Sequence, residues 1–117
     1  PYPLVNEVNS AYEAKHGEFL QETAGELYAG LWVLKDALER AGTTDGRILR
    51  EYISATDISE GPAAIIQPGR VRFDETGQLI DIFPLLLQWQ SGKLRTVFPS
   101  GAASTESAWP VPDWNKR

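Results

Sequence analysis

Four glutamates, Glu13, Glu18, Glu22 and Glu26, recur at spacings of four or five residues and are the first candidates for chemistry. Carboxylates act as a general acid–base pair, or hold a hard cation, only when they converge at a defined separation with shifted pKa values. Glu22 and Glu26 stand one helical turn apart and point the same way. Neither a third ligand nor a glycine-organised loop accompanies them, so the reading is a solvated helix face and no metal site is expected. Asp74-Glu75-Thr76-Gly77 lacks the spaced Asp/Asn ligands and distal glutamate of a calcium loop, and reads as a β-turn. His16, the lone histidine, stands before Gly17 at an expected helix end, where a partly charged imidazole interacts well with terminal carbonyls. Ser10, a candidate partner for it, lies about two turns back, on another face or too distant for a triad. No catalytic residue, enzyme activity or cofactor is expected. Trp89, Trp109 and Trp114, with Phe98 and Pro110, offer either an aromatic platform for a planar solute or, more simply, glue that holds a tail to the body.

The 117 residues, 42% hydrophobic and 23% charged, suit one soluble domain with a single core. Eleven basic against sixteen acidic residues give a net charge of −5 with no basic stripe, so nucleic acid is not an expected partner. The absence of cysteine excludes disulfides, thiolate metal sites and cysteine nucleophiles. The chain begins Pro1-Tyr2-Pro3 and contains no methionine, so it is expected to be a processed chain or a piece of one, with any export signal upstream of Pro1.

Apolar residues Leu4, Val5, Val8, Ala11 and Tyr12 predict an amphipathic helix from Leu4 to His16 with one face buried, Pro3 in its first turn and Gly17 as its stop. Leu27, Leu31, Leu34 and Leu38, widened by Tyr28, Trp32, Val33 and Ala37, predict a longer helix from Thr23 to Ala41, ended by Gly42. Gly25 and Gly30 inside it suggest close backbone packing. A third helix after Thr43-Thr44-Asp45 is expected to bury Ile48, Leu49, Tyr52 and Ile53 and to end near Ala55. From Ile58 to Gly69 a loop with little regular structure is expected. Val71-Arg72-Phe73 leads into the Asp74–Gly77 turn, then extended chain from Leu79 to Gln90. A hairpin pairs Ile82–Gln90 with Leu94–Phe98 around Ser91-Gly92-Lys93, with Pro84 marking a strand end, crossover or edge. Residues 99–117 read as an irregular tail wrapping over a surface. Three amphipathic helices followed by a few late strands leave apolar stripes uncovered, so a partner layer is expected to be missing. The uncovered apolar surface would also favour a homodimer of this piece.

The ordered segments resemble the C-terminal third of the branched-chain amino-acid type of periplasmic solute-binding protein. They are Val8-Asn9-Ser10-Ala11-Tyr12-Glu13-Ala14-Lys15-His16-Gly17, Leu27-Tyr28-Ala29-Gly30-Leu31 running into Asp36-Ala37-Leu38-Glu39-Arg40-Ala41-Gly42-Thr43-Thr44-Asp45-Gly46, Val71-Arg72-Phe73-Asp74-Glu75-Thr76-Gly77-Gln78, Leu87-Gln88-Trp89-Gln90-Ser91-Gly92-Lys93 and Val97-Phe98-Pro99. The resemblance covers residues 8–99 in order, although no single motif is specific. It implies an α/β type I periplasmic-binding-protein fold, of which this chain is a C-terminal fragment, locally three helices followed by a few antiparallel strands and an irregular tail. Residues 1–83 would be helices and a turn of one lobe, 84–98 the interlobe crossover and terminal hairpin, and 99–117 the tail.

The function implied is that of the extracytoplasmic component of an ABC transporter, on the periplasmic or extracellular face of the membrane. It would capture a small amino acid or carboxylate-bearing solute and pass it to a membrane permease. In such proteins the start of the long helix lies near the cleft, which nominates Gln21, Thr23 and Ala24 as solute-binding. The alternative is that Thr23 or Glu22 merely caps the helix. Thr23 stands where the family carries an aromatic, implying a smaller, more polar pocket wall. Phe83 and Pro84 are the implied hinge, although Pro84 interrupts a stretch that is clean strand in the family. A ligand-sensing or protein-interaction α+β domain of a regulator is the alternative function, and a small hydrolase a distant third.

Overall fold

The computed structural model describes residues 3–111 and 113–116. Pro1 and Tyr2 at the start, and Pro112 and Arg117 of the expected tail, lie outside the described residues, as does the side chain of Leu4. The chain divides into two compact units, one ending at Phe83 and the other beginning at Pro84.

In the first unit, α1 (Pro3–His16) opens on the proline that needs no amide partner and stops at Gly17, whose φ of 76° requires glycine and whose N–H donates to the Glu13 carbonyl. Its inner face is less buried than its pattern predicts: Val5, Val8 and Tyr12 are half-buried and Ala11 is exposed. The helix α2 (Glu22–Ala41) ends at Gly42, left-handed at φ 62°, with the Gly42 N–H on the Leu38 carbonyl. Asp45 caps α3 (Gly46–Ser54), its Oδ1 accepting from the Arg47 and Ile48 amides at 3.0 and 3.1 Å.

The expected face of α2 requires correction. Ala29, Val33 and Ala37 form its buried line, whereas Leu27 and Leu31 are 66% and 60% exposed and Leu34 is also exposed. The reason is steric. A short 3-10 turn, Pro62–Ile65, lies against α2 with Ala63, Ala64 and Ile65 buried, and small side chains on both elements let their backbones approach. The stretch from Ile58 to Gly69, expected as a loop with little regular structure, has this one 3-10 turn and nonetheless supplies much of the core. Val33, Ala63 and Val71 form its centre, with Trp32, Ile58, Ile66, Phe73 and Leu79 packed around them. Gly30 faces open space and a Cβ on Gly25 would meet only the Leu20 side chain at an ordinary 3.7 Å, so neither glycine marks a close backbone approach. Ile48 of α3 is exposed and Leu49, Tyr52 and Ile53 are half-buried. Arg40 joins α2 to the end of α3 by donating to the Tyr52 carbonyl at 2.9 Å and to the hydroxyl of buried Thr56 at 3.3 Å.

Two short strands, β1 (Asp57–Ile58) and β2 (Val71–Arg72), pair antiparallel. The turn after β2 is built as its residues dictate: Asp74 Oδ1 accepts from the Thr76 amide and hydroxyl and the Gln78 amide, Gly77 sits at φ 85°, and Phe73 bridges to Leu79.

The second unit is a hairpin of β3 (Leu86–Gln90) and β4 (Lys93–Phe98). Gln90 opposes Lys93, so the turn is the two residues Ser91-Gly92, both at positive φ, the geometry that matches strand twist. The strand begins at Leu86 rather than Ile82, because Pro84 cannot donate to a ladder and Asp81, at φ 64°, turns the chain before it. Glutamines anchor the segment after β4. Gln88 exchanges two bonds with the Ala108 backbone at 2.8 and 3.1 Å, and Gln90 donates to the Glu106 carbonyl at 2.9 Å. Trp109 is 83% exposed and Trp89 and Trp114 are exposed as well, which corrects the expectation of an aromatic glue.

Candidate functional site

Gln21 is the cap residue of α2, with extended backbone (φ −72°, ψ 153°) and its carbonyl accepting from the Gly25 amide at 3.0 Å. No side chain caps this end, so the expectation that Thr23 or Glu22 serves as the cap is corrected: both lie inside the helix. Gln21 and Thr23 are exposed and Ala24 is half-buried, so the three nominated residues share one helix start with two polar side chains free to meet a solute. The approach to this end is held from α1, where Asn9 Oδ1 accepts from the Leu20 amide at 2.7 Å. First-turn amides and the positive end of the helix dipole favour a carboxylate here, with the adjacent Glu22 opposing it.

Phe83 and Pro84 are placed by a different device. The Phe83 amide donates to Gln67 Oε1 at 3.0 Å, and the preceding segment is tied back through Arg72, whose Nη2 lies 2.8 Å from Asp81 Oδ2. Sequence reasoning missed Gln67, because it sits in Gln67-Pro68-Gly69 and reads there as turn punctuation. It missed Asp57 and Arg70 too, which form a two-pronged pair with both contacts at 2.6 Å. The Arg70 guanidinium, by hydrogen bond first and by charge second, holds the Asp57 carboxyl below its ordinary value. The Thr76 hydroxyl and then the Gln78 amide do the same for Asp74.

Glu13, Glu18, Glu22 and Glu26 are all exposed, and among the described residues no three metal-ligating side chains gather. The His16 ring stacks on Tyr12 with centroids 4.4 Å apart. Two shallow concavities lie elsewhere, one beside Arg47, Arg50 and Glu51 and one between β4 and the segment Ala103–Ser107. No described helix is long and apolar enough to cross a membrane. The helix start thus presents two exposed polar side chains beside its first-turn amides, and the segment around Phe83 is where the chain leaves the helical unit.

No family model matches the chain. It is 32% identical over 109 residues, 92% of its length, to proteins named Leu/Ile/Val-binding protein homolog 7 from Brucella abortus strain 2308 and Brucella suis biovar 1. The corresponding protein of Brucella melitensis biotype 1 matches at the same identity and coverage. The chain spans 27% of the length of these relatives. These relatives are named for binding rather than for catalysis, and this chain is a relative of the Leu/Ile/Val-binding proteins, aligned with about a quarter of their length.

Proposed function

We propose that this chain is the C-terminal part of an extracytoplasmic solute-binding protein of the type I periplasmic fold, which captures a small amino acid of the branched-chain class and delivers it to the permease of an ABC transporter. The observation that carries the reading is the 32% identity to Leu/Ile/Val-binding proteins across 92% of the chain. Two features of the molecule support it. Leu27, Leu31 and Leu34 form an exposed apolar line on α2, which in a longer protein of the relatives' length would be covered by another layer of the same chain. That covering needs no second copy, so self-association is not part of the proposal. The division into two units between Phe83 and Pro84 coincides with the nominated hinge, the kind of connection about which two lobes close on a solute.

In this reading Gln21, Thr23 and Ala24 contribute one wall of the solute cleft. The first-turn amides of α2 face the carboxylate, and Thr23 supplies a small polar wall. Titration calorimetry on the natural full-length protein, with leucine, isoleucine, valine and glutamate as separate ligands, tests it. At least one of the first three is expected to bind. Thr23→Glu, which sets a negative charge in the first turn beside the expected solute carboxylate, should weaken that binding more than tenfold while leaving the thermal midpoint within a few degrees, since Thr23 is exposed and an acidic residue suits a helix start. No heat with any of the three sinks the solute assignment. Unchanged affinity in Thr23→Glu removes the start of α2 from the cleft.

A further inference from the structure

The chain leaving the helical unit is tied down three times in succession. The Ile80 amide donates to the Arg72 carbonyl at 3.0 Å, Arg72 Nη2 pairs with Asp81 Oδ2 at 2.8 Å, and the Phe83 amide donates to Gln67 Oε1 at 3.0 Å. Pro84 follows with no amide to give, and the boundary between the two units falls there. Gln67 thus holds the main chain by its final donor before that boundary. Its orientation is dictated by chemistry, because an amide N–H needs an oxygen opposite it, and this leaves Gln67 Nε2 buried without a partner among the described residues. A buried, unpartnered amide nitrogen costs stability, and an apolar side chain of the same size would avoid that cost. What glutamine provides here and methionine cannot is the accepting oxygen.

We propose that Gln67 is a positioning residue for the boundary: its carboxamide clamps the main chain at Phe83 and fixes the point about which the two units move. The proposal rests on the reading of Phe83 and Pro84 as an interlobe hinge. With the clamp released, the pliable stretch extends back from Pro84 toward the Arg72–Asp81 pair, and the units sample a wider range of separations.

The test uses the natural full-length protein without solute. With any cysteine outside these 117 residues first replaced by serine, Ser54→Cys and Ser107→Cys, one exposed serine in each unit, carry spin labels for distance measurement. Gln67→Met is expected to speed hydrogen exchange at the Phe83 amide about five- to tenfold, as loss of one hydrogen bond implies, with the Val33 amide unchanged. It should also broaden the label-to-label distance distribution. Gln67→Ser, which cannot reach Phe83, carries the same expectation and serves if the methionine variant does not fold.

Unchanged Phe83 exchange overturns the proposal. So does an equal acceleration at Val33, which would be plain loss of stability, and so does a freed Phe83 amide without broadening. Calorimetry with branched-chain amino acids is run separately: failure to bind them would sink the receptor reading, while exchange and distance still judge the clamp.

Discussion

Truncating Leu31 to alanine in the natural full-length protein measures whether another layer covers α2. In this chain Leu31 is 60% exposed, and removing a side chain so placed changes stability by no more than about 0.5 kcal/mol. If a further layer buries it, the cost rises to about 2–5 kcal/mol, as for leucines truncated inside cores. The neighbouring Val33, 8% exposed and already packed on Ala63 and Val71, supplies the internal reference. Val33→Ala removes two methyl-sized groups at about 0.8 kcal/mol each, and the residual cavity raises the total to roughly 2 kcal/mol. The expected result is therefore that Leu31→Ala costs at least as much as Val33→Ala, although the exposures in this chain rank them in the opposite order. Urea denaturation followed by circular dichroism reads both, with the slope checked for constancy so that midpoint shifts convert to free energy. A Leu31→Ala cost below about 0.5 kcal/mol beside a normal Val33→Ala cost would refute the covering layer. The lobe assignment would fall with it.

Asp45→Ala removes the acceptor for two α3 amides and should cost about 1 kcal/mol in the same denaturation assay, with Asp45→Ser recovering most of it. Pro84→Ala should shift solute affinity in the natural protein while leaving the thermal midpoint within a few degrees, and calorimetry showing unchanged affinity would count against the hinge. Asp57 titrates below its ordinary value of 3.8 because Arg70 favours the ionised form. The stability it adds is complete above that value and disappears as pH falls through the lower folded-state value. Arg70→Met should return the Asp57 carboxyl toward 3.8 in an NMR titration, and high salt should act in the same direction more weakly; an unmoved titration would exclude the pair as its cause.

Much of the local structure is legible in the residues, for reasons that act over a few positions. Pro3 and Gly17 bound α1, Gly42 ends α2, one of Thr43, Thr44 and Asp45 starts α3, the structure selecting Asp45, and Asp74 with Gly77 closes the turn after β2. Each is a choice of φ or of a nearby acceptor, made within one turn of chain. The resemblance to branched-chain binding proteins was legible for a related reason, since ordered local motifs survive in the sequence even when no one of them is specific.

Which face of α2 turns inward was not legible. The leucine stripe is the more hydrophobic line, yet the 3-10 turn Pro62–Ile65 packs on the alanines and Val33, a choice made by steric fit between segments some thirty residues apart. Gln67 carried no signal for the same reason: its oxygen matters only because folding brings the Phe83 amide to it across 16 residues. Nor does a glutamine's type announce that Gln88 and Gln90 hold the segment after β4, because a side-chain bond to a distant backbone depends on where that backbone passes. The sequence by itself determined the helices, their ends, the turns and the family relationship, all written in short-range stereochemistry and residue order. Only the tertiary structure decided which apolar face is core, which is left exposed and which polar side chain holds the chain at Phe83, because those follow from packing between segments far apart along the chain.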